Sequence, residues 1–266
     1  MQNNDFFAPG RTFMMLKRQS VLNYNTWLIS LGALGGLLFL INIPELILSG
    51  QYNYDRFLLL GYFAFFTGGF LLSGGAFAEV NKPGKSILFM TVPSSSFEKF
   101  LAAWLTTSPL FIIAAMFSMS LISVIASLLG AIIHGASWQV FNPFEFSNIR
   151  IAGIYMVLQT IFLAGSVYFN SNHFLKTLFS VILFMIFLNL WSSLIFYAFL
   201  EPIWPVDMDF KLHWDSDEGL KAADVPITGY ETLVDIFQSG YKILFWGIAG
   251  PFFLLFSYFR LKEQEV

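Results

Sequence analysis

Six apolar stretches of this chain are each long enough to span a lipid bilayer: Thr26–Leu48, Phe57–Phe77, Phe100–Ile133, Ile149–Phe169, Phe174–Leu200 and Lys242–Phe259. A hydrocarbon core of about 30 Å is crossed by about 20 helical residues. No water reaches that core to pair a free N–H or C=O, so each stretch must fold as a helix that satisfies its own backbone. The third is long enough to tilt, or to bend at Pro109, and Pro251 is a kink site in the last and shortest. With 56% hydrophobic and 12% charged residues over 266 positions, the chain has too little charge to cover a soluble globule. The expected fold is an all-α integral membrane protein forming a single domain over residues 1–266. No cleavable signal is expected, because 25 mostly polar or mixed residues precede the first span and no small-residue cleavage site follows it. The absence of cysteine leaves the redox compartment open.

Orientation follows from the placement of Lys and Arg. With the N-terminus in the cytoplasm, six spans return the C-terminus there. That side then holds Arg11, Lys17, Arg18, Lys82, Lys85, Lys99, Lys176, Arg260 and Lys262, nine of the fourteen bases. The other side has five bases and most of the acids, gathered in residues 201–242. Both termini are therefore expected to be cytoplasmic. Residues 5–24 mix Phe and Met with Arg11, Lys17 and Arg18, which suits an N-terminal helix lying in the headgroup layer and equally a basic flank that anchors the first span.

The stretch NKPGKSILFMTVPSSSFEKF, residues 81–100, is a basic interruption of this apolar pattern. Its Gly84-Lys85-Ser86 imitates the end of a nucleotide-binding P-loop. A true P-loop has another Gly where this chain has Glu79, and it follows a buried strand, whereas here an apolar span precedes. ATP is therefore not expected to bind this chain. Val92 before Pro93 is biased away from helix, so any helix started near Lys85 should end there. Ser95 and Glu98 then fit a capping box opening the third span: the Ser hydroxyl accepts from the third helical amide, and the Glu carboxylate reaches back.

In the 201–242 segment, Thr228 and Glu231 form a second capping box, and Tyr230, Leu233, Val234 and Phe237 recur at helical spacing. A short amphipathic helix is expected there, against the outer mouth or resting on lipid, with Gly240 as its terminator. In the loop 134–148, Trp138, Phe141, Phe144 and Phe146 suit an aromatic belt. His134, His173 and His213 fall in three loops on two sides of the membrane, which excludes a three-histidine metal site. Asp215, Asp217 and Glu218 lack calcium-loop spacing and fit a solvated acidic face better. Apart from Glu45 near one end, the span interiors hold no ionisable side chain, although coupled transporters and intramembrane hydrolases rely on such groups at depth. Gln159 and Asn189 are the notable polar residues there, suited to hydrogen-bonding between helices.

The arrangement resembles that of bacterial ABC-2 type exporter permeases. It is carried by six spans with both ends inside, the basic N-terminal flank, FAEVNKPGKSILFMTVPSSSFEKF between spans two and three, the long outer segment before span six and the ending YFRLKEQEV. The more specific part is Phe77, Glu79, Leu88, Pro93, Ser96, Glu98 and Lys99; Val92-Pro93-Ser94 departs mildly from the Leu-Pro-small sequence of many relatives. The resemblance implies a cytoplasmic coupling helix between spans two and three that docks on a separate ATPase subunit, with Glu79, Lys85, Leu88, Pro93, Ser95, Ser96, Glu98 and Lys99 in the coupling stretch. It also implies a second permease half, identical or not, and a path between the halves closed by the outer helix of Tyr230, Leu233, Val234 and Phe237. ATP and Mg would belong to the partner ATPase, leaving this chain with no cofactor, catalytic residue or metal of its own; its other partner would be membrane lipid, with no nucleic acid. The implied location is the bacterial cytoplasmic (inner) membrane. Two other classes stay open: a channel or secondary carrier, which buried ionisable groups would favour, and a membrane-anchored enzyme or scaffold, which an acidic metal site in 201–242 would favour.

Overall fold

A computed structural model describes residues 7–22, 24–49, 53–78, 80, 92, 94–135, 139–195, 213–215, 219–221 and 239–264. The helices are α1 (Pro9–Leu22), α2 (Tyr24–Ser49), α3 (Tyr54–Gly75), α4 (Ser96–Thr107), α5 (Pro109–His134), α6 (Phe146–Tyr168), α7 (His173–Ile195) and α8 (Ser239–Gln264). Five segments among the described residues are long and apolar enough to cross a membrane: Tyr54–Gly75, Ser96–Ile133, Phe146–Tyr168, His173–Leu194 and Ser239–Gln264. The chain is thus a helical, multi-pass membrane-type protein. α2 is continuous over its 26 residues, and its side chains are described as far as Leu40. Between the helices, β1 (His213–Asp215) pairs antiparallel with β2 (Gly219–Lys221), Trp214 opposite Leu220, a short ladder that leaves the helical class of the protein unchanged.

Local chemistry explains several of the boundaries. Asn53 caps α3 by accepting the Arg56 amide at 3.0 Å, with Asp55 in the first turn, where a negative charge suits the helix dipole. The third span is two helices rather than one bent helix: α4 ends at Thr107, Ser108 leaves the helical region, and Pro109 starts α5, the position at which its missing N–H costs nothing. Gly135 ends α5 in the left-handed region, with φ 64°. In α8 the residues Leu244–Ala249 form a π-helical stretch just before Pro251, which cannot donate to the carbonyl of Gly247; a widened turn is a usual accommodation of such a gap. Gly240 is the second residue of α8, and the helix it was expected to end lies outside the described residues.

The chain divides into two units, residues 1–177 with 253–266, and residues 178–252. In the first, α3 lies at the centre, packed on α2, α6, α4 and α5. Its main cluster unites Leu34 and Leu38 of α2, Phe57, Phe65 and Leu72 of α3, Phe111 and Met119 of α5, and Tyr155 of α6. Phe141 belongs to this core as well, at 1% exposure, not to a surface belt. Its amide donates to Ser123 at 2.8 Å, so the loop folds onto α5; Phe144 and Phe146 stay exposed, as a belt requires. A second cluster joins Phe77, Phe100, Ala103, Leu163, Val167 and Leu261. Phe97 touches both Phe7 and Tyr258, with ring centroids at 6.2 and 6.1 Å, so the segments near the two chain ends meet at one end of the bundle. In the second unit, the consecutive α7 residues Leu183 to Phe187 are all exposed, an apolar helix with no buried face over that stretch.

Close helix approach rests on small residues, as in membrane bundles generally. A Cβ at Gly69 would overlap the Tyr155 ring, and one at Gly165 would overlap the Thr177 hydroxyl, whereas a Cβ at Gly32 meets nothing. Gly69→Ala should therefore lower stability by about 1–3 kcal/mol through overpacking, while Gly32→Ala should be neutral or raise it by about 0.5–1 kcal/mol. Reversible unfolding in mixed micelles measures the difference; equal effects at the two positions would mean that α3 and α6 do not meet at Gly69.

Candidate functional site

α1 begins with Pro9 at its first helical position, and its cap residue, Ala8, has no side-chain acceptor to offer. α4 begins at Ser96 with Ser95 as its cap. One carboxylate serves both starts. Glu98 Oε2 accepts the Ser95 amide at 2.9 Å, and the Ser95 hydroxyl accepts the Glu98 amide at 3.2 Å, which completes the capping box expected from sequence. Glu98 Oε1 accepts the Ala8 amide at 2.7 Å and the Arg11 Nε at 3.1 Å, with the second guanidinium nitrogen at 3.0 Å. Two positive helix ends and a guanidinium therefore surround a single anion, which offsets the cost of its burial. Glu98 is fully buried and Lys99 is 2% exposed.

α1 turns Thr12, Met15 and Gln19 inward and leaves Phe13, Met14, Lys17 and Val21 exposed. Gln19, at 3% exposure, shows how a polar run that encircles the helical wheel is accommodated: its glutamine is buried and its lysine faces out. The helix is amphipathic, with an outward face that mixes apolar and basic groups.

Of the coupling residues expected from sequence, Ser95, Ser96, Glu98 and Lys99 are brought together at the start of α4. Glu79, Lys85, Leu88 and Pro93 lie outside the described residues, as do the gate residues Tyr230, Leu233, Val234 and Phe237. Glu98 and Lys99 are buried, so neither side chain lies at the surface. The contacts of Glu98 with Ala8 and Arg11 had no signal in spacing, being some 90 residues apart; the one hint was a helix start at Pro9 without a capping side chain.

A second polar cluster lies deep in the bundle, where α3, α6 and the α4–α5 joint meet. The Tyr155 hydroxyl donates to the Thr107 carbonyl at 2.7 Å. Gln159, one turn along α6, accepts from Ser73 at 3.1 Å and from Thr107 at 3.4 Å. Phe65 and Phe111 flank the Tyr155 ring, with centroids at 4.8 and 5.6 Å. Sequence reasoning found Gln159 as a hydrogen-bonding residue between helices, and it is one; it missed Tyr155, whose hydroxyl is easily overlooked among 33 phenylalanines. Asn189 is on the exposed α7, where its carbonyl accepts from Ser192 and Ser193, both at 2.9 Å. Among the described residues no cluster of His, Asp and Glu could hold a metal ion.

Compared with protein families, with curated proteins and with solved structures, the chain finds no match.

The geometry at Glu98 separates the backbone contribution from the ion pair. Glu98→Ala removes a cap worth about 1 kcal/mol and charge-assisted bonds worth about 1.5–3 kcal/mol, so a loss of about 2.5–4 kcal/mol is expected. Arg11 is 36% exposed in its side chain, and Arg11→Met should cost about 1 kcal/mol or less. Chemical unfolding of the micellar protein checks both. Equal losses would mean that the guanidinium, not the two helix starts, carries the contact.

Proposed function

We propose that this chain is the membrane-spanning permease subunit of an ATP-driven ABC-2 type exporter, coupled to a separate ATPase and paired with a second permease half in a bacterial inner membrane. In this reading six helices span the bilayer with both termini in the cytoplasm. The segment between α3 and α4 is the coupling element, and the helix around Tyr230 and Phe237 closes the outer mouth.

The observation that carries the reading is the double capping at Glu98. A segment that receives force from a motor needs a rigid point of entry into the membrane. Here the stretch expected to couple is followed in sequence by a helix start that is buried, capped and tied to a second, basic helix. The polar content of the bundle is a further support. Among the described residues, buried polar side chains within the spans, such as Ser73, Thr107, Tyr155 and Gln159, are uncharged, while the buried Glu98, Lys99 and His173 sit where α4 and α7 begin. Uncharged spans have little with which to bind a driving ion, which favours energy from a partner.

The test is reconstitution with the ATPase that co-purifies with the chain. Lys85→Ala together with Leu88→Ala should weaken that association about tenfold or more, as loss of interface anchors does, while the purified chain binds no nucleotide in either form. Transport should persist when ion gradients are collapsed. Transport without any ATPase, abolished by an ionophore, would instead establish a secondary carrier.

A further inference from the structure

The joint between α4 and α5 is built from polar groups that one arrangement does not satisfy. Ser108 has φ −112° and ψ −91°, and Pro109 has no N–H, so the Leu105 carbonyl loses the donor that a continuous helix would supply. The Thr107 carbonyl is paired from outside the span, by the Tyr155 hydroxyl at 2.7 Å. Gln159 shares a face of α6 with Tyr155, four residues away, and its oxygen accepts from Ser73 and Thr107. Two atoms near this joint have no hydrogen-bond partner: Ser108 Oγ and Gln159 Nε2, each on a residue with 0% exposure. One is an amide donor and the other a hydroxyl able to accept, so they are complementary. An unpaired polar group is costly in an apolar interior; Ser108 directly follows Thr107, whose hydroxyl reaches Gln159, so the two complementary groups point to a second arrangement in which they pair.

We infer that Ser108–Pro109 is a two-position hinge. In the first position Tyr155 holds the Thr107 carbonyl. In the second that bond is released and Gln159 Nε2 donates to Ser108 Oγ. Each position leaves different buried groups unpaired, which keeps the two close in energy. Since Glu98 binds α1 to the start of α4, α1 and α4 swing as one body against α5. The hinge is independent of the transport reading, because it follows from the groups at the joint alone.

The chain has no cysteine, so a pair of introduced cysteines can be labelled without background. Lys17→Cys on α1 and Phe117→Cys on α5 replace exposed residues and span the joint. With spin labels on the full chain in lipid nanodiscs, pulsed electron paramagnetic resonance should give two distances. Tyr155→Phe keeps the ring and loses only the hydroxyl, and should enrich the second distance about fivefold, the effect of one hydrogen bond. Ser108→Ala and Gln159→Leu should each leave only the first. One distance, unchanged in all four proteins, would overturn the hinge, and so would a second distance that survives Ser108→Ala.

Discussion

The arrangement of this protein at one end of its bundle depends on where one negative charge is put. A carboxylate moved out of water is strongly penalised unless donors surround it. Glu98 has four close donors: the amides of Ala8 and Ser95 and two nitrogens of Arg11. Two of these belong to the caps of different helices, so the same contact that makes burial tolerable also fixes the angle between α1 and α4. The aromatic contacts at Phe97 then bring in Phe7 and Tyr258, and the segments near the two chain ends become parts of one packed corner.

Deeper in the bundle the constraint is different, because there the groups in need of partners belong to the backbone. A proline inside an apolar run removes a donor, and no water of the hydrocarbon region replaces it. The chain meets this by making Pro109 the first residue of a new helix, and the Thr107 carbonyl beside the break is paired by the Tyr155 hydroxyl. Gly69 leaves room for the Tyr155 ring. The joint and the corner lie at the two ends of a short helix, α4, of 12 residues. A displacement at the corner therefore reaches the joint through about three turns of rigid helix. Under the exporter reading that short lever is the mechanical element between motor and path.

How much of this the sequence disclosed depended on the range of each interaction. Apolar runs located α3, α6 and the long third span to within a few residues, since hydrophobic length is a property of the segment itself. The Ser95–Glu98 box was legible for the same reason, as its partners are three residues apart. Pro109 is legible as a bend site, but the bond of Tyr155 to the Thr107 carbonyl beside the break joins residues 48 positions apart, which no local pattern reveals. Phe141 read as a belt residue by position and entered the core because Ser123 holds its amide. The second role of Glu98 was invisible, since its partners stand 87 and 90 residues away. The ladder at residues 213–221 was hidden in a stretch whose acids dominated the pattern.

If Glu98 makes α1 and α4 one body, their amides must open together. Hydrogen–deuterium exchange of the full chain in nanodiscs, followed at residues 8–12 and 95–99, reads this directly. In Glu98→Ala both segments should lose protection to the same extent, while α3 and α6 keep theirs. Protection at residues 8–12 that persists while 95–99 exchange freely would contradict the account, because α1 would then be held by something other than the shared carboxylate.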